Sequence, residues 1–156
     1  MSVIAAAVNG PAKEPAFRVT IENKGNVDVV LNLGVMLANG RTQVPTDIGL
    51  VLTYPNGKSR ELVFRGPRVG GRVDDYLVPL RSGSAYTLRI SLSDLWSPDT
   101  NGGKLTFEPG EYQVRATLTS KQPHFINTDM EGVSVLNVWK GKLQSDPVVF
   151  KIGGKD

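Results

Sequence analysis

Between Tyr112 and Leu118 the chain alternates apolar and polar residues without interruption, directly after the Pro109-Gly110 pair. Tyr112, Val114, Ala116 and Leu118 fall on one side; Glu111, Gln113, Arg115 and Thr117 fall on the other. Successive side chains of an extended backbone point to opposite faces, so a period of two specifies a strand with one face buried. Pro-Gly marks the turn that leads into it, and the tyrosine stands at the strand's entrance.

The same period recurs along the chain. Residues 2–8 read as a first edge strand, ended by the Asn9-Gly10-Pro11 turn. Phe17, Val19 and Ile21 alternate with Arg18, Thr20 and Glu22, ahead of the turn-forming Asn23-Lys24-Gly25-Asn26. Val27, Val29, Leu31 and Leu33 then alternate with Asp28, Val30 and Asn32. Ile48, Leu50, Leu52 and Tyr54 run into Pro55-Asn56-Gly57-Lys58, where Asn-Gly predicts a type I′ hairpin returning along residues 61–65 with Leu62 and Phe64 inward. Pro79 removes a ladder donor from residues 73–80 and predicts an edge position. Tyr86, Leu88, Ile90 and Leu92 mark another strand, Leu105 and Phe107 a short one, and Val148, Phe150 and Ile152 the last. Helix signals are confined to Ser93-Asp94-Leu95-Trp96, a single turn capped by Ser93 and stopped by Pro98.

Turn residues every 8–15 positions and a tyrosine just past a turn match an all-β, immunoglobulin-like antiparallel β-sandwich with a tyrosine corner. About nine or ten strands are expected, in a single domain over residues 1–156. A chain of this length buries roughly 70% of its unfolded surface. With 40% apolar and 21% charged residues it has the composition of a globular protein. It holds no cysteine, so the fold uses neither disulfides nor thiolate ligands, and cysteine nucleophiles are excluded. That absence does not decide the compartment. The net charge of +3 supports solubility without implying a polyanionic partner. No apolar run approaches the ~20 residues that span a bilayer, so membrane insertion is not expected. Residues 1–8 are apolar but lack a basic flank and are too short for a signal peptide.

Catalytic constellations are missing from the pattern. The single histidine, His124, has Asp129 and Ser134 nearby, yet no nucleophile elbow surrounds any serine, and an exposed loop histidine is the expectation. Carboxylates are too dispersed to single out a glycosidase pair. Asn127, Asp129 and Glu131 ahead of Gly132 form a fragment of a calcium loop, but the twelfth position holds Val138 where a bidentate glutamate is needed. Asp99-Thr100-Asn101-Gly102 fails in the same way at Gly110. Both read as solvated turns, and no metal or cofactor is expected. Arg60, Arg65, Arg68 and Arg72 surround the Gly66-Pro67 and Gly70-Gly71 turns and are placed to approach one another. Asp74 and Asp75 follow at once to neutralise part of that patch, and no aromatics interleave, so nucleic acid is not an expected partner.

Three connections, residues 38–47, 66–72 and 120–142, are longer than turns, and long loops on a rigid sandwich are where binding function sits. In the third, His124, Phe125, Asn127, Asp129, Met130 and Glu131 form a contact tip, with Phe125 and Met130 as anchors for a protein partner. Arg68 and Arg72 of the second loop join it. Residues 133–139 read as a further strand that packs Val133, Val135 and Trp139, and Trp96 as a cap on one end of the core.

The stretches FRVTIENKGNVDVVLNLG, IGLVLTYPNGKSRELVF, LRSGSAYTLRISLSDLW and LTFEPGEYQVRATLTS resemble bacterial immunoglobulin-like modules of the CARDB type. They are also loosely similar to the intracellular proteinase inhibitor family of bacilli. The shared features are the strand-Asn-turn-strand opening, the Gly-Lys hairpin and the late Pro-Gly-x-Tyr strand, over residues 17–118. Residues 35–46 and 133–152 depart from the inhibitor pattern, and no inhibitory residue carries over. The resemblance implies the sandwich more strongly than any activity. The function expected is a non-catalytic protein-recognition or accessory module. Proteinase inhibition is the alternative that the resemblance implies. A carbohydrate-binding module is a third, requiring Trp96, Trp139 or Tyr86 exposed and coplanar, whereas Tyr86 is expected to be buried.

Overall fold

The computed structural model describes residues 1–9, 15–37, 40–66, 73–100, 105–123 and 137–153. In them the chain forms β1 (Ser2–Asn9), β2 (Pro15–Glu22), β3 (Val29–Leu37), β4 (Thr42–Val44), β5 (Ile48–Thr53) and β6 (Ser59–Phe64). It continues through β7 (Val73–Leu80), β8 (Ala85–Ser91), β9 (Leu95–Trp96), β10 (Gly110–Ser120), β11 (Gly141–Gln144) and β12 (Val148–Ile152). No α-helix occurs among the described residues. The fold is an all-β antiparallel sandwich.

One sheet is ordered β1-β2-β8 and a second β4-β3-β7. The third runs β11-β10-β5-β6-β9, with β12 also pairing β10. Strand β10 carries β12 along Gly110 to Val114 and β11 along Thr117 to Ser120. Ser145 fills the gap between those two partners: its Oγ accepts from Ala116 N at 2.9 Å and its own N donates to Ala116 O at 2.9 Å. The alternation seen in sequence sets which side is buried. Tyr112, Val114, Ala116 and Leu118 of β10, Phe17, Val19 and Ile21 of β2, and Ile48, Leu50 and Leu52 of β5 all enter one apolar core. Burying each larger aliphatic or aromatic side chain contributes about 1.5–3 kcal/mol. Phe17 meets Phe150 edge-on with ring centroids 5.1 Å apart, which locates the contact between the first and third sheets.

Tyr112 makes the corner that its position predicts. It is 1% exposed. Its hydroxyl accepts from Glu108 N at 3.0 Å and donates to Glu108 O at 2.7 Å, while the ring stacks on Phe150. This return of the phenol to the backbone upstream is the tyrosine corner of immunoglobulin-like sandwiches. Residues 2–8 do lie at a sheet edge within β1, and Pro79 sits on β7, also an edge strand.

Other expectations are corrected. Val27 is 55% exposed and precedes β3, because Asn23 closes the turn by donating from Nδ2 to Val27 O at 2.8 Å and Leu80 O at 3.1 Å. Leu105 and Phe107 are not in a strand; Phe107 instead packs edge-on against Tyr112 at 5.9 Å. The turn after β8 is a 3-10 turn at Leu92–Asp94 with Ser91, not Ser93, at its N-cap, and Asp94 Oδ2 accepts from Ser91 N at 2.9 Å. The hairpin between β5 and β6 is not the two-residue type I′ form. Pro55 has no N–H to close it, so Gly57 N bonds Tyr54 O at 2.9 Å, Tyr54 N bonds Lys58 O at 2.8 Å, and Gly57 takes φ +80°. Strands β4, β9 and β11 are short additions that periodicity did not mark. Of the strand expected at 133–139, residues 133–136 lie outside the described residues; Val138 makes a single parallel bridge to Val30.

Candidate functional site

Asn32 interrupts an otherwise apolar run on β3, and the ladder with β7 explains how it is accommodated. Asn32 pairs with Leu77 in regular register, just before a shift between Asn32 and Val35, so it shares a face with Asp75; Leu31, Asn32 and Leu33 are all buried. Asn32 is 3% exposed and hydrogen-bonded through both its side-chain amide groups. Its Nδ2 donates to Asp75 Oδ1 at 3.0 Å, its Oδ1 accepts from Gly34 N at 3.2 Å, and its backbone N donates to Ser120 Oγ at 3.1 Å. Asp75 and Ser120 are buried as well. A buried carboxylate requires such donors, since an unpaired one would cost several kcal/mol.

This node gathers strand ends that are distant in sequence. Val73, the start of β7, pairs with Leu37 at the end of β3. Asp47 N donates to Leu33 O at 3.0 Å and Thr119 N to Asp47 O at 2.9 Å, which ties the start of β5 to β3 and β10. Ser120, the last residue of β10, pairs with Gly141, and Val30 N donates to Asn137 O at 2.9 Å. Gly34 permits the closest approach. Its φ is +141°, and a Cβ there would stand 2.4 Å from Thr46 N and 2.5 Å from Val44 O. Both ends of residues 38–47 and 120–142, and the end of 66–72 that enters β7, therefore meet around one buried polar cluster. The cluster positions backbone: Ser120 Oγ accepts from Asn32 N, and Asp75 Oδ1 accepts from Asn32 Nδ2.

A second polar contact links the sheets. The hydroxyls of Tyr76 on β7 and Tyr86 on β8 hydrogen-bond to each other. Burial, together with the bond to Tyr86, pushes the Tyr76 phenol well above its ordinary range.

The contact residues expected from sequence, His124, Phe125, Asn127, Asp129, Met130, Glu131, Arg68 and Arg72, lie outside the described residues. So do Ser134, Asn101 and Gly102. Arg60 and Arg65 do not converge. Arg60 lies within β6, over the Tyr54 ring at 5.6 Å, and Arg65 just past its end, over the Trp96 ring at 5.7 Å. Five residues of extended chain hold them about 17 Å apart along the strand. Asp75 Oδ1 accepts from Asn32 Nδ2, while Arg68 and Arg72 of that patch lie outside the described residues. Tyr86, Trp96 and Trp139 are each half-buried, so none presents a fully open ring face. Trp96 instead pairs through Val63 of β6, with Arg65 above it.

The Asn32-Asp75-Ser120 cluster was missed by motif reasoning. The signal that could have found it was a lone asparagine within Val-Val-Leu-Asn-Leu-Gly-Val, a polar residue inside a run too apolar to be surface. No protein-family model matches the chain, and no curated protein matches it.

Proposed function

We propose that the protein is a non-catalytic recognition or accessory module, in which a rigid sandwich presents long connections from one rim to another protein. The observation that carries this reading is the common root: both ends of residues 38–47 and 120–142, and the end of 66–72 that enters β7, gather around Asn32, Asp75, Ser120 and Asp47. Loops held by a stiff, hydrogen-bonded base lose less entropy on binding than loops rooted apart. Phe125 and Met130 supply the apolar anchors of the contact surface, and Arg68 and Arg72 its charged margin.

The test is affinity capture with the intact chain and with a variant carrying alanine at His124, Phe125, Asn127, Asp129, Met130, Glu131, Arg68 and Arg72. Loss of the captured protein with an unchanged melting temperature is the expected result. Retention of every captured protein by that variant contradicts the proposal. Sub-micromolar inhibition of any enzyme in a panel of serine and metalloproteases would replace it with the inhibitor function that the sequence resemblance implies.

A further inference from the structure

Strand β1 has one side without a ladder partner among the described residues, and it also lies against β10, β11 and β12 of the third sheet. It pairs with β2 in unbroken register from Ser2↔Glu22 to Asn9↔Pro15, and with no other strand. Beyond that ladder its backbone makes no hydrogen bond among the described residues. An edge of this length normally carries a charge, a proline or a bulge to prevent strand addition. The other edges of this fold are blunted in those ways. β7 carries Asp74, Asp75 and Pro79; β8 carries Arg89; β11 carries Lys142 and β12 Lys151. β4 and β9 are only three and two residues long. β1 reads Ser-Val-Ile-Ala-Ala-Ala-Val-Asn, without charge or proline, and Ile4 on it is 46% exposed.

We propose that β1 pairs antiparallel with β1 of a second copy of this chain, joining the two β1-β2-β8 sheets into one continuous six-stranded sheet. Geometry restricts how this happens. A two-fold axis that sets neighbouring strands antiparallel in one sheet stands perpendicular to that sheet, so it keeps inner faces with inner faces. Residues of equal parity must then lie opposite each other. Centring the axis on Ala5 overlaps the whole of residues 2–8 and sets Ile4 against Ala6, and Val3 against Ala7, of the other copy. Each bulky side chain meets a small one, and the buried face carried by Val3 and Ala5 runs on across the junction.

Charge favours a second copy over a foreign strand. β1 offers no ionic group to specify another sequence, so hydrogen bonds of the ladder supply the attraction, and β1 itself matches them fully. The nearest charged side chains on the outer face are Glu22, which accepts from Ser2 Oγ, and Arg18 beside Ala6, each one strand back. The counterpart of Arg18 in the other copy would be three strand spacings, about 14 Å, away, beyond the screening length at physiological salt.

Sedimentation velocity and hydrogen exchange on the intact chain test this. The expected result is a doubling of mass with rising concentration, accompanied by slowed exchange within Ser2–Asn9. The double variant Ile4→Lys/Ala6→Lys places like charges across the junction and should weaken association at least ~100-fold. Mixing it with Ile4→Glu/Ala6→Glu should restore a mixed dimer. A chain that stays monomeric with fast-exchanging β1 amides overturns the proposal. So does a dimer whose formation leaves β1 exchange unchanged, a result read on the unmodified chain and independent of whether the variants fold.

Discussion

Replacing Tyr112 with phenylalanine removes one oxygen and leaves the ring. The ring's neighbours should remain in place: Phe150 stacked at 5.6 Å, with Tyr54 and Phe107 edge-on at 5.6 and 5.9 Å. What disappears is a pair of hydrogen bonds to Glu108, one donated and one accepted. A buried protein–protein hydrogen bond contributes about 1 kcal/mol net. Glu108 is exposed, so water replaces part of the loss at its backbone groups. The expected destabilisation is about 1–2 kcal/mol, which lowers the melting temperature of a chain this size by ~2–8 °C. Truncation to alanine would add a cavity among three rings and cost about 3–5 kcal/mol. Urea unfolding of Tyr112→Phe should show a lower midpoint at an unchanged m-value. A loss below ~0.5 kcal/mol, the size of a neutral surface change, would refute the corner as a stabilising element.

Further consequences can be measured in the same way. Gly34→Ala forces a Cβ against the backbone of Val44 and Thr46 at a φ unsuited to alanine, and should cost about 3 kcal/mol or more by denaturant unfolding; a loss under ~1 kcal/mol would show that the connection shifts freely. Asn32→Asp sets a second carboxylate against Asp75, so one of the pair should hold its proton more tightly in the folded state than when unfolded. Stability should then be lowest at neutral pH and recover on acidification toward pH ~5, and a flat difference from the parent chain across that range would contradict it. Tyr76 has a phenol raised by burial, so its contribution is complete below the unfolded tyrosine pKa near ~10 and is lost as pH rises beyond it, by about 1.4 kcal/mol per pH unit. Tyr76→Phe should flatten that alkaline decline, and an unchanged slope would exclude Tyr76 as its source.

Strands whose burial follows a strict period of two were legible in the sequence. β2, β5 and β10 each set their apolar residues on one face, and the structure buries that face. The edge position of Pro79 was legible for a covalent reason, since a residue without an N–H cannot serve both neighbours. Legibility failed where pairing is decided by a distant partner. Thr42–Val44 is a strand because the end of β3 lies beside it, and Leu95–Trp96 because Phe64 and Val63 do. Leu105 and Phe107 have the right alternation, but Phe107 packs onto Tyr112 from a segment with no ladder partner among the described residues.

The polar cluster was hidden for a related reason. Asn32 occupies what a simple alternation assigns to the outer face, and it is enclosed there by partners distant in sequence, Asp75 and Ser120. Asp75 read as a surface charge beside arginines because one-dimensional proximity does not show which carboxylate is enclosed. Ser120 lies 88 positions from Asn32, a contact that no local motif encodes.

That cluster is what unites the long connections, and the backbone amide of Asn32 reports on it. This N–H donates to the Ser120 hydroxyl, a side-chain acceptor across the core, instead of to a strand neighbour. Native-state hydrogen exchange, read at that amide by NMR, should show strong protection in the parent chain and a selective loss of protection in Ser120→Ala, with the β2 amides unaffected. Rapid exchange at Asn32 in the unaltered chain, or identical protection after Ser120→Ala, would mean that the rim is not held together in this way.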